Sequence, residues 1–156
     1  MTTKYEALLA ESDRAGLIVK EKPLKYNNGR IKGNKIAIRE GINTSAEKAC
    51  VLAEELGHHH TTAGRILDQS VAGNRKQERQ ARVWAYDRLI GLPDIIKAYE
   101  RRCNSPADMA EYLDVTEEFL LDALDFYREK YGIGVQFGEY YISFEPFFAV
   151  YKGGCS

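Results

Sequence analysis

Two consecutive glutamates and three consecutive histidines stand within one short run, Ala53-Glu54-Glu55-Leu56-Gly57-His58-His59-His60. These are all the histidines of a 156-residue chain. Imidazole and carboxylate packed this densely are donors for a divalent cation, zinc first. Glu54 and His58 are one helical turn apart and Glu55 sits beside them. That is one substitution away from H-E-x-x-H, a spacing in which two ligands flank a general-base glutamate. The first ligand position here holds a carboxylate, which binds zinc at the same distance as imidazole. A carboxylate in that position makes a harder, more anionic site that admits manganese as an alternative. A second register stays open, because Glu55 and His59 are also one turn apart. His60 falls toward the apolar side and reads as a structural, hydrogen-bonding histidine. The plain alternative is a solvated helix end, with the histidines placed favourably at the C-terminal dipole.

The elements around this run can be read from pattern. Residues 3 to 14 read as a helix anchored by Leu8 and Leu9. Ile18 to Tyr26 is extended and broken by Pro23. Arg30-Ile31-Lys32 and Lys35-Ile36-Ala37-Ile38 flank Gly33-Asn34 as a hairpin. Thr44-Ser45-Ala46-Glu47 is a capping box that starts the helix carrying the site. On it, Ala49, Leu52, Ala53 and Leu56 form an apolar stripe at about 100° per residue, and Glu54 and His58 fall on the opposite side. Gly57 permits another backbone to approach, and Gly64 ends the element. Residues 68 to 74 read as a loop, with Asn74 capping a helix from about Arg75 to Ile90. Glu78 shares a stripe there with Ala81, Ala85 and Leu89, and a carboxylate on a buried stripe needs a partner or a cation. Pro93 starts a helix to about Cys103. Asn104-Ser105-Pro106 caps another through Leu113, and Thr116-Glu117-Glu118 opens the next, to Gly132. The tail reads as a hairpin about Gly138-Glu139, with an edge strand over Phe147 to Tyr151 after Pro146.

Composition narrows the class. Hydrophobic residues at 44% support a core, and a net charge of -1 gives no case for bulk nucleic-acid or membrane binding. No segment is apolar for long enough to span a bilayer, and Met1 to Leu9 carries no cleavage signal. Cys50, Cys103 and Cys155 are odd in number and far apart, as reduced thiols of a cytoplasmic protein are. The fold class expected is α+β, mainly helical, with a small sheet beside the site helix and a C-terminal helix pair plus hairpin. The expected organisation is a core over 1–103 and a C-terminal segment over 104–156.

Two blocks resemble a known family. Leu52-Ala53-Glu54-Glu55-Leu56-Gly57-His58 is similar to the L-A-H-E-L-G-H signature of the ImmA/IrrE metallopeptidases of phages and mobile elements. Glu78-Arg79-Gln80-Ala81-Arg82-Val83-Trp84-Ala85-Tyr86 resembles that family's downstream helix. The resemblance implies a zincin-like fold and a zinc-dependent endopeptidase. It implies His58, Glu78 and Glu54 as metal ligands and Glu55 as the general base. Lys35 to Ile38 is the candidate edge on which a substrate would pair as an added strand. The implied substrate is a protein, an Xre-like helix-turn-helix repressor.

Ala107 to Phe119 itself reads like a helix-turn-helix. Glu117, Glu118, Asp122, Asp125 and Glu129 on its second helix would repel phosphates, which argues against direct DNA binding. Packing, or contact with a basic repressor, suits that pair better. Arg75, Lys76, Arg79 and Arg82 read as a solvated helix face.

Overall fold

The computed structural model describes residues 2–62 and 70–153. It divides into two compact units, Met1–Leu89 and Ile90–Ser156. The class is the α+β arrangement expected, with helices and two small three-stranded sheets.

The first unit begins with helix α1, Lys4–Arg14, closed at its start by reciprocal bonds between Thr3 and Glu6. Strands β1 (Ile18–Lys22), β2 (Gly29–Lys32) and β3 (Lys35–Arg39) follow. β2 and β3 form the expected hairpin, in antiparallel register. β1 stops before Pro23, whose missing N–H would break a ladder, and pairs with β3 in parallel. The sheet order is β1-β3-β2. β3 is therefore central, with both edges occupied. This corrects the assignment of Lys35 to Ile38 as a substrate edge: a strand paired on both sides has no free amides to offer. Among the described residues, the unpaired strand edge beside the site helix belongs to β2.

Helix α2, Ser45–Thr62, carries the glutamate-histidine run. The Thr44 hydroxyl accepts from the Glu47 amide at 3.1 Å, as the capping pattern requires. Ala49, Leu52, Ala53 and Leu56 are all buried. Helix α3, Val71–Leu89, starts earlier than expected. Ser70, not Asn74, caps it: its hydroxyl accepts from the Gly73 amide at 3.0 Å and its carbonyl from the Asn74 amide at 2.9 Å. Ser and Asn are near-equal caps, so local sequence does not choose between them. The expected helix end at Gly64, and residues 68 and 69 of the expected loop, lie outside the described residues. Arg88 on α3 ties back to Glu11 on α1 through Nε at 3.0 Å and Nη2 at 2.5 Å.

The second unit holds α4 (Leu92–Glu100), α5 (Pro106–Leu113), α6 (Glu117–Tyr131), β4 (Gly134–Phe137), β5 (Tyr140–Ser143) and β6 (Ala149–Lys152). α4 ends at Glu100, short of Cys103, where Arg102 turns to a positive φ of 61°. α5 and α6 are joined by Asp114 in the left-handed region, and Ser105 and Thr116 cap them as read. The tail is a three-stranded meander in which β6 pairs with β5. Tyr127, buried on α6, donates its hydroxyl to the Ile90 carbonyl at 2.7 Å. Cys50 and Cys103 are reduced, with no disulfide, and Cys155 lies outside the described residues. Among the described residues no helix is long and apolar enough to cross a membrane.

Replacing Tyr127 by Phe keeps the ring and strands the buried Ile90 carbonyl. The expected cost is about 1–3 kcal/mol, read as a lower urea midpoint with an unchanged slope.

Candidate functional site

The site is built where α2 and α3 cross. A Cβ on Gly57 would lie 2.2 Å from the Ala81 carbonyl oxygen and 2.9 Å from its Cα. Both are backbone atoms and cannot swing aside, so the two helices approach this closely only because residue 57 has no side chain. One residue beyond Gly57 on α2, and three before Ala81 on α3, stand His58 and Glu78. His58 Nε2 lies 3.3 Å from Glu78 Oε1. Two of the three expected ligands therefore meet, from two helices. The meeting involves His58 rather than His59. His59 instead packs edge-on against His60, with ring centroids 5.1 Å apart.

Glu78 is not buried. Its side chain is 57% exposed, against 20% for His58. The stripe shared with Ala81, Ala85 and Leu89 is buried only from Ala81 onward. One turn earlier the facing group on α2 is a polar imidazole, with no apolar lid, and the carboxylate keeps part of its water. A buried charge is thereby avoided.

Glu55 sits on the other flank of α2, under β2. A Cβ on Gly29 would meet Glu55 Cγ at 2.9 Å and Oε1 at 3.0 Å, and Val51 Cγ1 at 2.7 Å. The bare backbone of the edge strand thus rests on the Glu55 side chain. The acid-histidine face of α2 is consequently half-buried between α3 and β2, rather than open to solvent as a simple two-faced helix would leave it. Burial pushes the Glu55 carboxyl up to about 7, with the charges of Glu54 and Glu78 adding to the effect. Two carboxylates therefore act on a third here.

Glu54 is half-buried and engaged with neighbours. Among the described residues, no three His, Cys, Asp or Glu side chains are gathered closely enough to hold a metal ion. His58 and Glu78 are gathered as a pair. The donor chemistry of the neighbourhood, one imidazole nitrogen and mutually repelling carboxylates, nonetheless suits a divalent cation, which would relieve that repulsion.

His60 is not a core histidine. It is exposed and stacks on Trp84 of α3, with centroids 4.7 Å apart and planes 19° from parallel. Burial of its ring, then the neighbouring His59, lowers its affinity for a proton, and Glu11 opposes this. In the last described turn of α2, two threonines bond back to carbonyls one turn earlier. Thr61 donates to the Gly57 carbonyl at 2.7 Å, and Thr62 donates to that of His58. Sequence reasoning did not find Gly29, Trp84 or these threonines. Only Gly29 left a signal, as a glycine opening a strand where close backbone approach is a standard cause.

A family model, Peptidase_M78, described as the IrrE N-terminal-like domain, matches residues 13–125. No curated protein and no solved structure gave a match.

Two outcomes are expected. Gly57→Ala raises helix propensity, but its Cβ must displace the Ala81 backbone. The clash outweighs the propensity gain of about 1 kcal/mol, so the variant should melt lower and its His58–Glu78 pair should part. A crystal structure of the variant with that pair intact would refute this. The second outcome concerns pH. Glu55 binds its proton more tightly folded than unfolded. Below its ordinary value of 4.5 both states hold the proton, and between there and about 7 only the folded state does. Its stabilising contribution is complete below 4.5 and is lost as pH rises to about 7. The loss has a ceiling of about 3 kcal/mol. In chelator, melting temperature should fall over that window, and Glu55→Gln should flatten the profile.

Proposed function

The chain belongs to the Peptidase_M78 family, and on that premise we propose that it is a metal-dependent endopeptidase. His58, Glu78 and Glu54 are the proposed ligands and Glu55 the general base. The observation that carries this reading is the approach of His58 and Glu78 across a helix crossing that a glycine alone permits. Zinc is the proposed ion, with manganese as the alternative for a carboxylate-rich set.

A bound cation would supply Lewis-acid polarisation of a peptide carbonyl and a more acidic water. The chain's own residues account for the rest. Glu55 has a proton affinity near neutrality, where a general base both takes a proton and returns it to a leaving amine. The outer edge of β2, unpaired among the described residues, can bind an extended peptide through backbone hydrogen bonds. Gly29 keeps that edge against Glu55, so an added strand would run close to the base. The carboxylate cluster remains half-buried, which strengthens its electrostatic effect on anything bound there.

The proposed substrate is a helix-turn-helix repressor of the Xre type, the substrate that the family resemblance implies. The exposed acids Glu117, Glu118 and Asp125 on α6 suit a basic protein partner. A cytoplasmic setting fits the reduced state of Cys50 and Cys103.

A second reading has its own support. Glu54 stands in the first-ligand position, and the described residues gather a donor pair rather than a triad. A non-catalytic module that holds a repressor without cutting it would look this way.

Metal content separates the two. Protein purified without a His tag and dialysed against zinc or manganese should retain about one ion per chain. His58→Ala and Glu78→Ala should each weaken retention by tenfold or more. Glu55→Gln should keep the ion and cut a co-expressed repressor at least a hundredfold more slowly. Absence of any retained ion in the unsubstituted protein favours the binding module.

A further inference from the structure

The net charge of -1 hides a segregation. Met1–Leu89 carries 16 Lys and Arg against 11 Asp and Glu, whereas Ile90–Ser156 carries 6 against 12. In the first unit much of the excess lies on one surface. Strand parity identifies it. The inner face of the sheet is fixed by three contacts: Ile36 and Ile38 are buried, Glu21 pairs with Lys48 of α2 at 2.9 Å, and Gly29 abuts Val51 and Glu55 of α2. The registers Glu21↔Ile38 and Gly29↔Ile38 place these residues on one side.

Alternate residues point the other way. Six of those eight outward positions are Lys20, Lys22, Arg30, Lys32, Lys35 and Arg39, and the remaining two are Ile18 and Ala37. None is an acid. All the cations are exposed except Arg39, which is half-buried and donates Nε to Asn28 Oδ1 at 2.9 Å. Among the described residues none of the six pairs with a carboxylate. Like charges this close are unfavourable unless something anionic lies over them. With strands about 4.8 Å apart and same-face residues about 6.8 Å apart, they form a flat grid of positive charge.

We propose that this outer face binds the phosphate backbone of duplex nucleic acid, without reading its sequence. Composition selects that partner. Protein interfaces centre on apolar and aromatic residues and are poor in lysine, and this face has four lysines and no aromatic. Nucleic-acid interfaces are polar and strongly positive. A face without aromatic platforms does not stack unpaired bases, and one whose large apolar residue is Ile18 alone offers a bilayer little to bury.

The test uses the full chain and a fluorescein-labelled duplex of about 20 base pairs, followed by anisotropy from about 50 to 200 mM salt. Binding should weaken with salt with a log–log slope of about -4 to -5. Lys20→Ala with Lys32→Ala should lower that slope by about 2. Lys20→Glu with Lys32→Glu should weaken binding at least tenfold while the melting temperature holds. Arg75→Glu with Lys76→Glu, on the separate basic face of α3, should leave binding within about twofold. The proposal is overturned if the duplex does not bind at the lowest salt, or if the α3 pair matters and the sheet pair does not. It is also overturned if a polyglutamate peptide or phosphatidylserine vesicles bind tenfold more tightly than the duplex, which would assign the face to a protein or a membrane.

Discussion

The approach of the α2 and α3 backbones at Gly57 and Ala81 is the constraint from which the site follows. Helix axes packed through side chains stand about 8–10 Å apart. A glycine facing a carbonyl removes the intervening side chain and brings adjacent functional groups within reach. His58 is the next residue after that contact, and Glu78 stands one turn from it on the partner helix. Their 3.3 Å separation follows from how closely the backbones meet. Stacking of His60 on Trp84 holds the same two helices at another point, and the Arg88–Glu11 ion pair ties α3 to α1. The polar neighbourhood is thus framed by a crossing that side-chain rotation alone cannot loosen.

A comparable device operates on the sheet side. Gly29 lets an edge strand lie directly on Glu55, and that cover takes water from a carboxyl already facing two like charges. The two glycines act on different groups: one sets a distance between prospective ligands, the other sets a proton affinity. Such an arrangement is costly without a cation, because burial and the charges of Glu54 and Glu78 make Glu55 harder to ionise. Function is the usual reason for a fold to keep such a cost.

The elements that periodicity and capping specify were legible. The β2–β3 hairpin, the Thr44 cap, the apolar stripe of α2 and the Ser105 and Thr116 caps depend on residues within a few positions of one another. Assignments that depend on distant neighbours went differently. Glu78 lies on the right stripe, yet its exposure depends on what α2 presents opposite it, and that is a histidine. β3 alternates as a half-buried strand should, but alternation does not say whether a strand is central or at an edge. The start of α3 turned on two acceptable caps four residues apart, Ser70 and Asn74. The overall charge concealed a basic sheet face, because a sum over the chain carries no direction.

By itself, the sequence determined which chemistry was available: one imidazole-carboxylate run, a second acidic helix, and glycines where backbones could meet. These are properties of residue type and spacing, and a helix of known pitch converts them directly into shared faces. Only the tertiary structure decided which histidine meets Glu78, which strand offers a free edge, and how much water each carboxylate keeps. Those depend on long-range packing, in which residues far apart in the chain supply the neighbours, and no local pattern encodes the identity of a neighbour.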